Sequence, residues 1–177
     1  MATRYYVGID LGGTNIKGGV VDANGQVLYF QSIETEGKQG RDHVLDRMAL
    51  LVRLVRDGAK LAEDQIAAVG VGSPGPLDTA RGIIHTAPNL PGWENLPLAD
   101  ELGKRTGYPV FIENDANAAA LAESFAGVGR GTRCMLLLTL GTGIGGGIVI
   151  DGKVWHGVSD CAGELGHVSI DYRGRRC

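Results

Sequence analysis

Two stretches of this sequence repeat one order of apolar runs and glycine-rich turns, and this repeat limits the possible folds more than any other feature. In the first copy, the predicted strands are residues 5–9, 17–21 and 26–30. In the second copy, they are residues 135–139, 146–150 and 153–155. A Leu-Gly turn joins the first two strands of each copy, and an Asp/Gly turn joins the last two. The copies lie about 130 residues apart, which predicts two similar domains rather than a solenoid of short repeats.

Between the copies, the sequence alternates between helix and strand patterns. Residues 41–57 carry apolar side chains at helical spacing, and a second helix is predicted from Leu98 to Gly107, with a proline before it and a glycine at its end. Residues 73–78 contain two prolines and predict a stiff loop. The remaining predicted elements are strands at 66–72, 82–86 and 110–112 and a helix at 118–123. This alternation predicts an α/β fold in which helices cover a sheet.

Composition excludes several classes of protein. The net charge is −3, and the 17 basic and 20 acidic residues are intermixed, so no basic patch points to nucleic acid. The longest apolar run, residues 135–138, is far too short to span a membrane, and the N-terminus lacks the apolar region of a signal peptide. Three cysteines do not make a disulfide framework and favour reduced thiols or a metal ligand. We therefore expect a cytoplasmic protein that binds neither nucleic acid nor a membrane.

Residues 113–117 (ENDAN) place a carboxylate where a buried strand ends and a helix begins. Ligands of open α/β sheets collect at the carboxyl ends of strands, and a helix N-terminus there favours negative charge. Asp115 could act as a general base that takes the proton of a hydroxyl group. The alternative is structural: Asn114 or Asp115 caps the helix and the other polar side chains are solvated.

Residues 10–15 (DLGGTN) are richer than a simple hairpin turn requires. Adjacent glycines expose backbone N–H groups, and the Thr and Asn side chains add donors suited to phosphate oxygens. A Gly-Gly turn between strands can also be only a turn. In the second copy, Gly141, Gly143 and Gly146 fit a dinucleotide-binding pattern, but a strand follows them where that motif needs a helix.

Two further segments concentrate polar side chains. The loop at residues 87–93 offers the Asn89 amide and the Trp93 indole, which suit a polar ring with an apolar face; alternatively it is a surface loop whose Trp is anchored in the core. Residues 161–167 bring together a thiol, a carboxylate and an imidazole. His167 and Cys177 alone indicate a metal only weakly, because a tetrahedral site needs four ligands.

Six motifs, in this order, resemble the ROK family of bacterial sugar kinases, and among them its glucokinases. They are residues 10–15 (DLGGTN), 73–76 (SPGP), 88–93 (PNLPGW), 113–117 (ENDAN), 140–147 (LGTGIGGG) and 162–167 (AGELGH). The resemblance implies a ribonuclease-H-like or actin-like ATPase fold. Its first α/β domain is expected at residues 1–125, and the second, incomplete, at 126–177, with the two glycine turns facing one phosphate chain across a cleft.

The resemblance also implies the chemistry. We expect ATP-dependent phosphorylation of a hexose, with glucose as the first candidate, Mg²⁺ as cofactor, Asp115 as general base and a homodimeric protein. The implied sugar-binding residues are Asn89, Asn114, Asp115, Glu164 and His167. The implied phosphate-binding residues are Asp10, Gly12, Gly13, Thr14, Gly141, Thr142 and Gly143.

Family members hold a structural zinc with one His and three Cys, and here His167 and Cys177 match the first two of these ligands. The sequence then ends, and we expect a truncated chain that neither retains zinc tightly as a monomer nor turns over ATP. Sheet residues of the second copy are expected to be partly exposed, which favours low stability or association. These residues are Leu136, Leu138, Ile148 and Ile150.

Several alternatives remain open at this point. The substrate could be mannose, allose or an N-acetylhexosamine, and the phosphate donor could be polyphosphate instead of ATP. The scaffold could also belong to a sugar-responsive regulator. Family repressors carry an N-terminal helix-turn-helix arm, whereas this sequence starts at its first strand, which favours the kinase. A third possibility is a phosphate-binding scaffold in which the glycines only form turns.

Overall fold

The structure of this chain is a computed structural model. It describes residues 4–87, 89–141 and 143–174. The contacts between residues divide the chain into two compact units, Met1–Asp115 and Ala116–Cys177. The domain boundary expected at residue 125 stays a prediction. The chain has the predicted α/β fold class, with helices and strands alternating along the sequence. No helix in the described ranges is both long and apolar enough to cross a bilayer.

The first unit is built on a sheet of five strands: β1 (Tyr5–Leu11), β2 (Asn15–Val21), β3 (Val27–Glu34), β4 (Ile66–Ser73) and β8 (Val110–Asn114). Their order in the sheet is β3-β2-β1-β4-β8. β1, β2 and β3 are antiparallel neighbours, whereas β4 and β8 run parallel to β1. Asp22 stabilises the predicted hairpin turn, because its carboxylate accepts the N–H groups of Gln26 and Asn24, which also lowers the pKa of Asp22.

A small second sheet lies within the first unit and was only partly predicted. It has the order β5-β6-β7, with β5 at Leu77–Asp78, β6 at Ile83–Thr86 and β7 at Glu94–Leu96. The strand at 82–86 was predicted, but the expectation of a loop throughout 73–78 is wrong at its end. Leu77 pairs with Ile84 across the β5–β6 hairpin and is buried. A short strand therefore begins directly after the two prolines of this segment.

The helix α1 (Arg41–Gly58) covers one face of the five-stranded sheet, as its apolar spacing predicts. Its predicted core positions are all buried: Val44, Leu45, Met48, Leu51, Val52 and Val55. The helix α2 (Leu98–Thr106) follows Pro97 and ends at Gly107, whose φ of 77° is the left-handed conformation that glycine adopts easily. The predictions of these two helices are therefore confirmed.

The second unit contains an antiparallel sheet of three strands, as the repeat predicts: β9 (Cys134–Leu140), β10 (Ile144–Ile150) and β11 (Lys153–Val154). Their order in the sheet is β11-β10-β9. The helix α3 begins at Asp115, three residues before the predicted start, and continues to Ala126. It packs closely on β10, because a Cβ on Gly147 would lie only 2.6 Å from the Cβ of Ala120.

One face of this second sheet is open to solvent. Leu136 is 57% exposed, Leu138 is 54% exposed and Ile150 is 40% exposed, while Ile148 is half-buried. The register pairs Ile148 with Leu136 and Ile150 with Cys134, so these side chains share one face. The expected exposure is confirmed; the association expected from it stays a prediction.

Candidate active site

The parallel register of β1, β4 and β8 brings the carboxyl ends of these strands, which carry polar side chains, to one edge of the sheet. Asp10 near the end of β1 pairs with Gly72 of β4, and Gly72 pairs with Glu113 of β8. One position further on, Ser73 pairs with Asn114. Asp10, Asn114 and Asp115 therefore lie at the same edge of the sheet. Ligands of α/β sheets bind at the carboxyl ends of parallel strands, so this edge is a candidate site.

Asp115 is the first residue of α3 and is exposed, whereas Asn114 is half-buried as the last residue of β8. The N–H of Asn114 donates to Glu113 Oε1 at 2.9 Å. Because the helix begins at Asp115, the capping alternative applies to Asn114, which directly precedes it. The N-terminal turn of α3 favours the negative charge of the Asp115 carboxylate.

Asp10 has a cationic neighbour that the motif did not include. Lys17 Nζ lies 3.3 Å from Asp10 Oδ2, and both side chains are about half exposed. They are direct partners in the β1–β2 register. An ion pair this exposed contributes little to stability, so its charges remain accessible to a polar ligand.

The first glycine turn is held by a residue that sequence reasoning missed. Thr35, which follows β3, is completely buried; its Oγ1 donates to the carbonyl of Gly12 at 2.6 Å, and its N–H donates to the carbonyl of Thr14 at 2.8 Å. Gly12 also donates its N–H to the carbonyl of Asn15 at 3.1 Å. A Cβ on Gly12 would lie 2.6 Å from that Asn15 oxygen, so only glycine fits there. Gly13 and Thr14 are exposed.

Asn89 lies next to this turn. A Cβ built on Gly13 would be 3.0 Å from the Asn89 Cβ, so the two backbones approach closely. Asn89 is exposed, while Trp93 in the same loop is 1% exposed and belongs to the core. The indole is thus anchored in the core, as one of the two interpretations of this loop predicted, and the amide alone is at the surface. Pro88 lies outside the described residues.

In the second unit, Glu164 and His167 are presented by a short loop that rests on β10. Glu164 Oε2 lies 3.7 Å from His167 Nε2, and both side chains are more than half exposed. The loop approaches the strand through glycine: a Cβ on Gly163 would lie 2.6 Å from the carbonyl oxygen of Gly146 and 2.9 Å from Asn117 Oδ1. Gly146, which fits the dinucleotide pattern, therefore serves packing here.

The second glycine turn differs from the first. The N–H of Gly141 donates to the carbonyl of Gly143 at 2.9 Å, and both glycines are exposed. A Cβ on either would meet no described atom within 4 Å, so packing does not require glycine at these positions. Thr142 falls outside the described residues.

The predicted zinc ligands are not tested by this structure. Cys177 falls outside the described residues, and His167 is exposed beside Glu164. In the part of the chain that the structure describes, no group of three or more His, Cys, Asp and Glu side chains is arranged to hold a metal. The zinc site stays a prediction.

Comparison with known proteins identifies the family. The sequence profile of the ROK family matches residues 6–177, which is almost the whole chain. This chain belongs to the ROK family. The sequence resemblance is confirmed, and the fold is the actin-like ATPase fold of the ROK sugar kinases, represented here in part.

The ROK relatives include enzymes with solved structures. The glucokinase of Thermotoga maritima is 44% identical over 171 residues, which cover 97% of this chain and 52% of that enzyme. The ROK hexokinase from Thermus thermophilus superposes with a TM-score of 0.86 at 41% identity, covering 98% of this chain and 56% of that one. A ROK glucokinase from Streptomyces griseus, crystallised with glucose and AMPPNP, has a TM-score of 0.82 at 37% identity, covering 94% and 51%. The chain spans about half the length of the curated relatives it matches.

The ROK family also contains regulators. The xylose repressor of Caldicellulosiruptor bescii is 32% identical over 174 residues, covering 97% of this chain and 43% of the repressor. Family membership therefore does not by itself decide between a kinase and a regulator.

The glycine packing in the second unit generates a testable prediction. We expect Gly163→Ala to destabilise this unit by about 1–3 kcal/mol, because the added methyl overlaps the Gly146 carbonyl and the Asn117 side chain. Hydrogen exchange of the backbone amides of residues 163–167 should become faster than in the wild type. Gly141→Ala is the matched control, since its methyl meets open space. Unchanged exchange in Gly163→Ala would contradict the packing argument.

Proposed function

We propose that the protein containing this chain transfers the γ-phosphoryl group of ATP to a hexose, with glucose as the first candidate. The observation that supports this most directly is the close approach of Gly13 and Asn89, since a Cβ added to Gly13 would lie 3.0 Å from the Asn89 Cβ. A turn suited to phosphate and an exposed amide suited to a sugar hydroxyl are therefore neighbours within one unit. Relatives of this chain named glucokinase provide the second support.

Asp115 is the proposed general base. Its carboxylate takes the proton of the primary hydroxyl while that oxygen attacks the γ-phosphorus, and the bond between the γ-phosphorus and the bridging oxygen breaks to release ADP. Its position supports the role, because an exposed carboxylate at a strand end and helix N-terminus is both accessible and stabilised as an anion.

The first glycine turn is proposed to receive the phosphates. Gly13 and Thr14 are exposed, and their N–H groups make no hydrogen bond within the described residues. Asp10 stands at the same strand end, where its carboxylate could hold Mg²⁺ or its water ligands. Mg²⁺ bound to ATP would neutralise charge on the phosphates. Gly141, Thr142 and Gly143 are the proposed phosphate contacts of the second unit.

Asn89, Asn114, Asp115, Glu164 and His167 are the proposed sugar-binding residues. Amide and carboxylate oxygens accept hydrogen bonds from ring hydroxyls, and an amide N–H₂ or an imidazole N–H donates to them. Glu164 and His167 are near enough to each other to bind neighbouring hydroxyls. We also propose a structural zinc at His167 and Cys177 in the full-length protein, and a homodimer.

A sugar-responsive regulator is the second candidate, supported by the similarity to a xylose repressor. The two functions differ in one measurable respect: a regulator binds its sugar without consuming ATP.

Coupled assay of ADP release by the full-length protein tests the proposal. Glucose, mannose, allose and N-acetylmannosamine should be compared, with ATP and polyphosphate as donors. We expect turnover with at least one hexose and the highest kcat/KM for glucose with ATP. Sugar binding by calorimetry without any phosphorylation would favour the regulator, and the absence of both would contradict the sugar-binding site.

Asp115→Asn should reduce kcat by roughly 10²–10⁴, because the amide cannot accept the hydroxyl proton. Sugar binding should change little, since the amide keeps a hydrogen-bonding oxygen at the same place. Asp100→Asn is the matched control: Asp100 is an exposed carboxylate in the first turn of α2, outside the proposed site. Turnover near the wild-type value in Asp115→Asn would refute the base assignment.

Glu164→Gln should raise the KM for sugar about tenfold while the KM for ATP stays nearly constant, because a carboxylate accepts stronger hydrogen bonds from hydroxyls than an amide does. Glu94→Gln, an exposed position in β7, serves as the control. Steady-state kinetics with each substrate varied in turn separates the two constants. Equal KM values for sugar in Glu164→Gln and the wild type would remove Glu164 from the sugar site.

A further inference from the structure

We propose that Thr35 is a positioning residue that aims the backbone N–H of Gly13 at the bound phosphate. This inference rests on the proposed kinase function, since it concerns the first glycine turn as a phosphate site. Thr35 touches neither a substrate nor the reacting atoms in this proposal; it acts through the backbone of the turn.

Thr35 makes two hydrogen bonds to the turn. Its hydroxyl donates to the carbonyl of Gly12 at 2.6 Å and its N–H donates to the carbonyl of Thr14 at 2.8 Å, so one residue fixes two peptide groups on either side of Gly13. Its side chain is fully buried, although it is polar. A buried hydroxyl that lost its partner would be costly, and so would a buried carbonyl.

Peptide geometry converts this anchoring into an orientation. The carbonyl of Gly12 and the N–H of Gly13 belong to one planar trans peptide group, in which C=O and N–H point in opposite directions. Because the Gly12 carbonyl is drawn to the buried Thr35, the Gly13 N–H is turned away from it, toward the exposed side of the turn. This N–H makes no hydrogen bond within the described residues, which leaves it available to an anion.

The segment that carries Thr35 is itself fixed to α1. The next residue, Glu36, has a φ of 54°, a conformation that is uncommon for a side chain other than glycine. Its carboxylate lies 2.6 Å from His43 Nε2 and 3.3 Å from an Arg47 nitrogen. Arg47 Nε also donates to the carbonyl of Glu34 at 2.6 Å. Residues on both sides of Thr35 are thus tied to one helix, so the hydroxyl has a fixed place from which to hold the turn.

The test compares two substitutions that leave different groups at this position. Thr35→Val keeps the β-branched shape and the N–H but removes the hydroxyl, whereas Thr35→Ser keeps the hydroxyl. Thr106→Val is the matched control, because Thr106 Oγ1 also donates to a backbone carbonyl, that of Leu102 at 2.8 Å, but within α2. In the full-length protein, calorimetry gives the Kd for Mg·AMPPNP, and steady-state kinetics give the KM for ATP and for sugar.

We expect Thr35→Val to weaken Mg·AMPPNP binding and raise the KM for ATP about tenfold, the size of one lost hydrogen bond that leaves a carbonyl unpaired. The KM for sugar should change by less than about twofold, since its contacts do not use this peptide group. Thr35→Ser should restore the wild-type Kd. A general loss of stability would instead move both KM values together, and the melting temperature of each variant reports it separately.

Specific results of these measurements overturn the inference. Equal Kd values in Thr35→Val and the wild type would show that the hydroxyl does not set the turn. An equally weak Kd in Thr35→Ser or in Thr106→Val would show that the effect is not specific to this hydroxyl. If the wild type binds Mg·AMPPNP but phosphorylates no sugar, the proposed function fails while the Thr35 comparison is still decided by calorimetry; if the wild type does not bind the nucleotide, both fail.

Discussion

The parallel register of β1, β4 and β8 is the constraint on which the candidate site of the first unit depends. Because Asp10 pairs with Gly72, and Gly72 pairs with Glu113, three strands end at the same level of the sheet. Side chains alternate between faces, and Ile9 and Leu11 are buried while Asp10 is exposed. A slip of one residue in β1 would turn Asp10 to the buried face and remove it from the site. The apolar residues that build the core therefore also fix the polar ones.

Much of this arrangement could be predicted, because it follows from patterns among residues that are close together in the sequence. The spacing of Val44, Leu45 and Met48 predicts a helix with one buried face, and those residues are buried. The ENDAN motif predicts a strand end followed by a helix, and β8 ends at Asn114 directly before α3. In both cases, the residues that carry the signal are neighbours in the sequence or lie one helical turn apart.

The missed features depend on contacts that sequence patterns do not contain. Thr35 is a small polar residue at the end of an ordinary strand, and its importance comes from Gly12, 23 positions earlier. The pairing of Leu77 with Ile84 likewise overrides a loop prediction based on nearby prolines. Glycines are ambiguous for a related reason: a turn, a ligand contact and close packing all favour the same residue. Gly146 fits a nucleotide-binding pattern, yet its neighbours are Leu165 and Gly163.

The two groups of candidate residues are supported by different physical means, and this has consequences for how each tolerates change. The first turn is held by hydrogen bonds from Thr35, so it should be sensitive to the loss of that donor. The loop of Glu164 packs against β10 where Gly163 and Gly146 carry no side chains, so it should be sensitive to volume added at either glycine. A hydrogen bond fixes direction as well as distance, whereas close packing fixes mainly distance. In the proposed function, directional support is needed where an N–H must point at a phosphate oxygen, and close packing is sufficient where the Glu164 carboxylate can adjust its rotamer to a sugar.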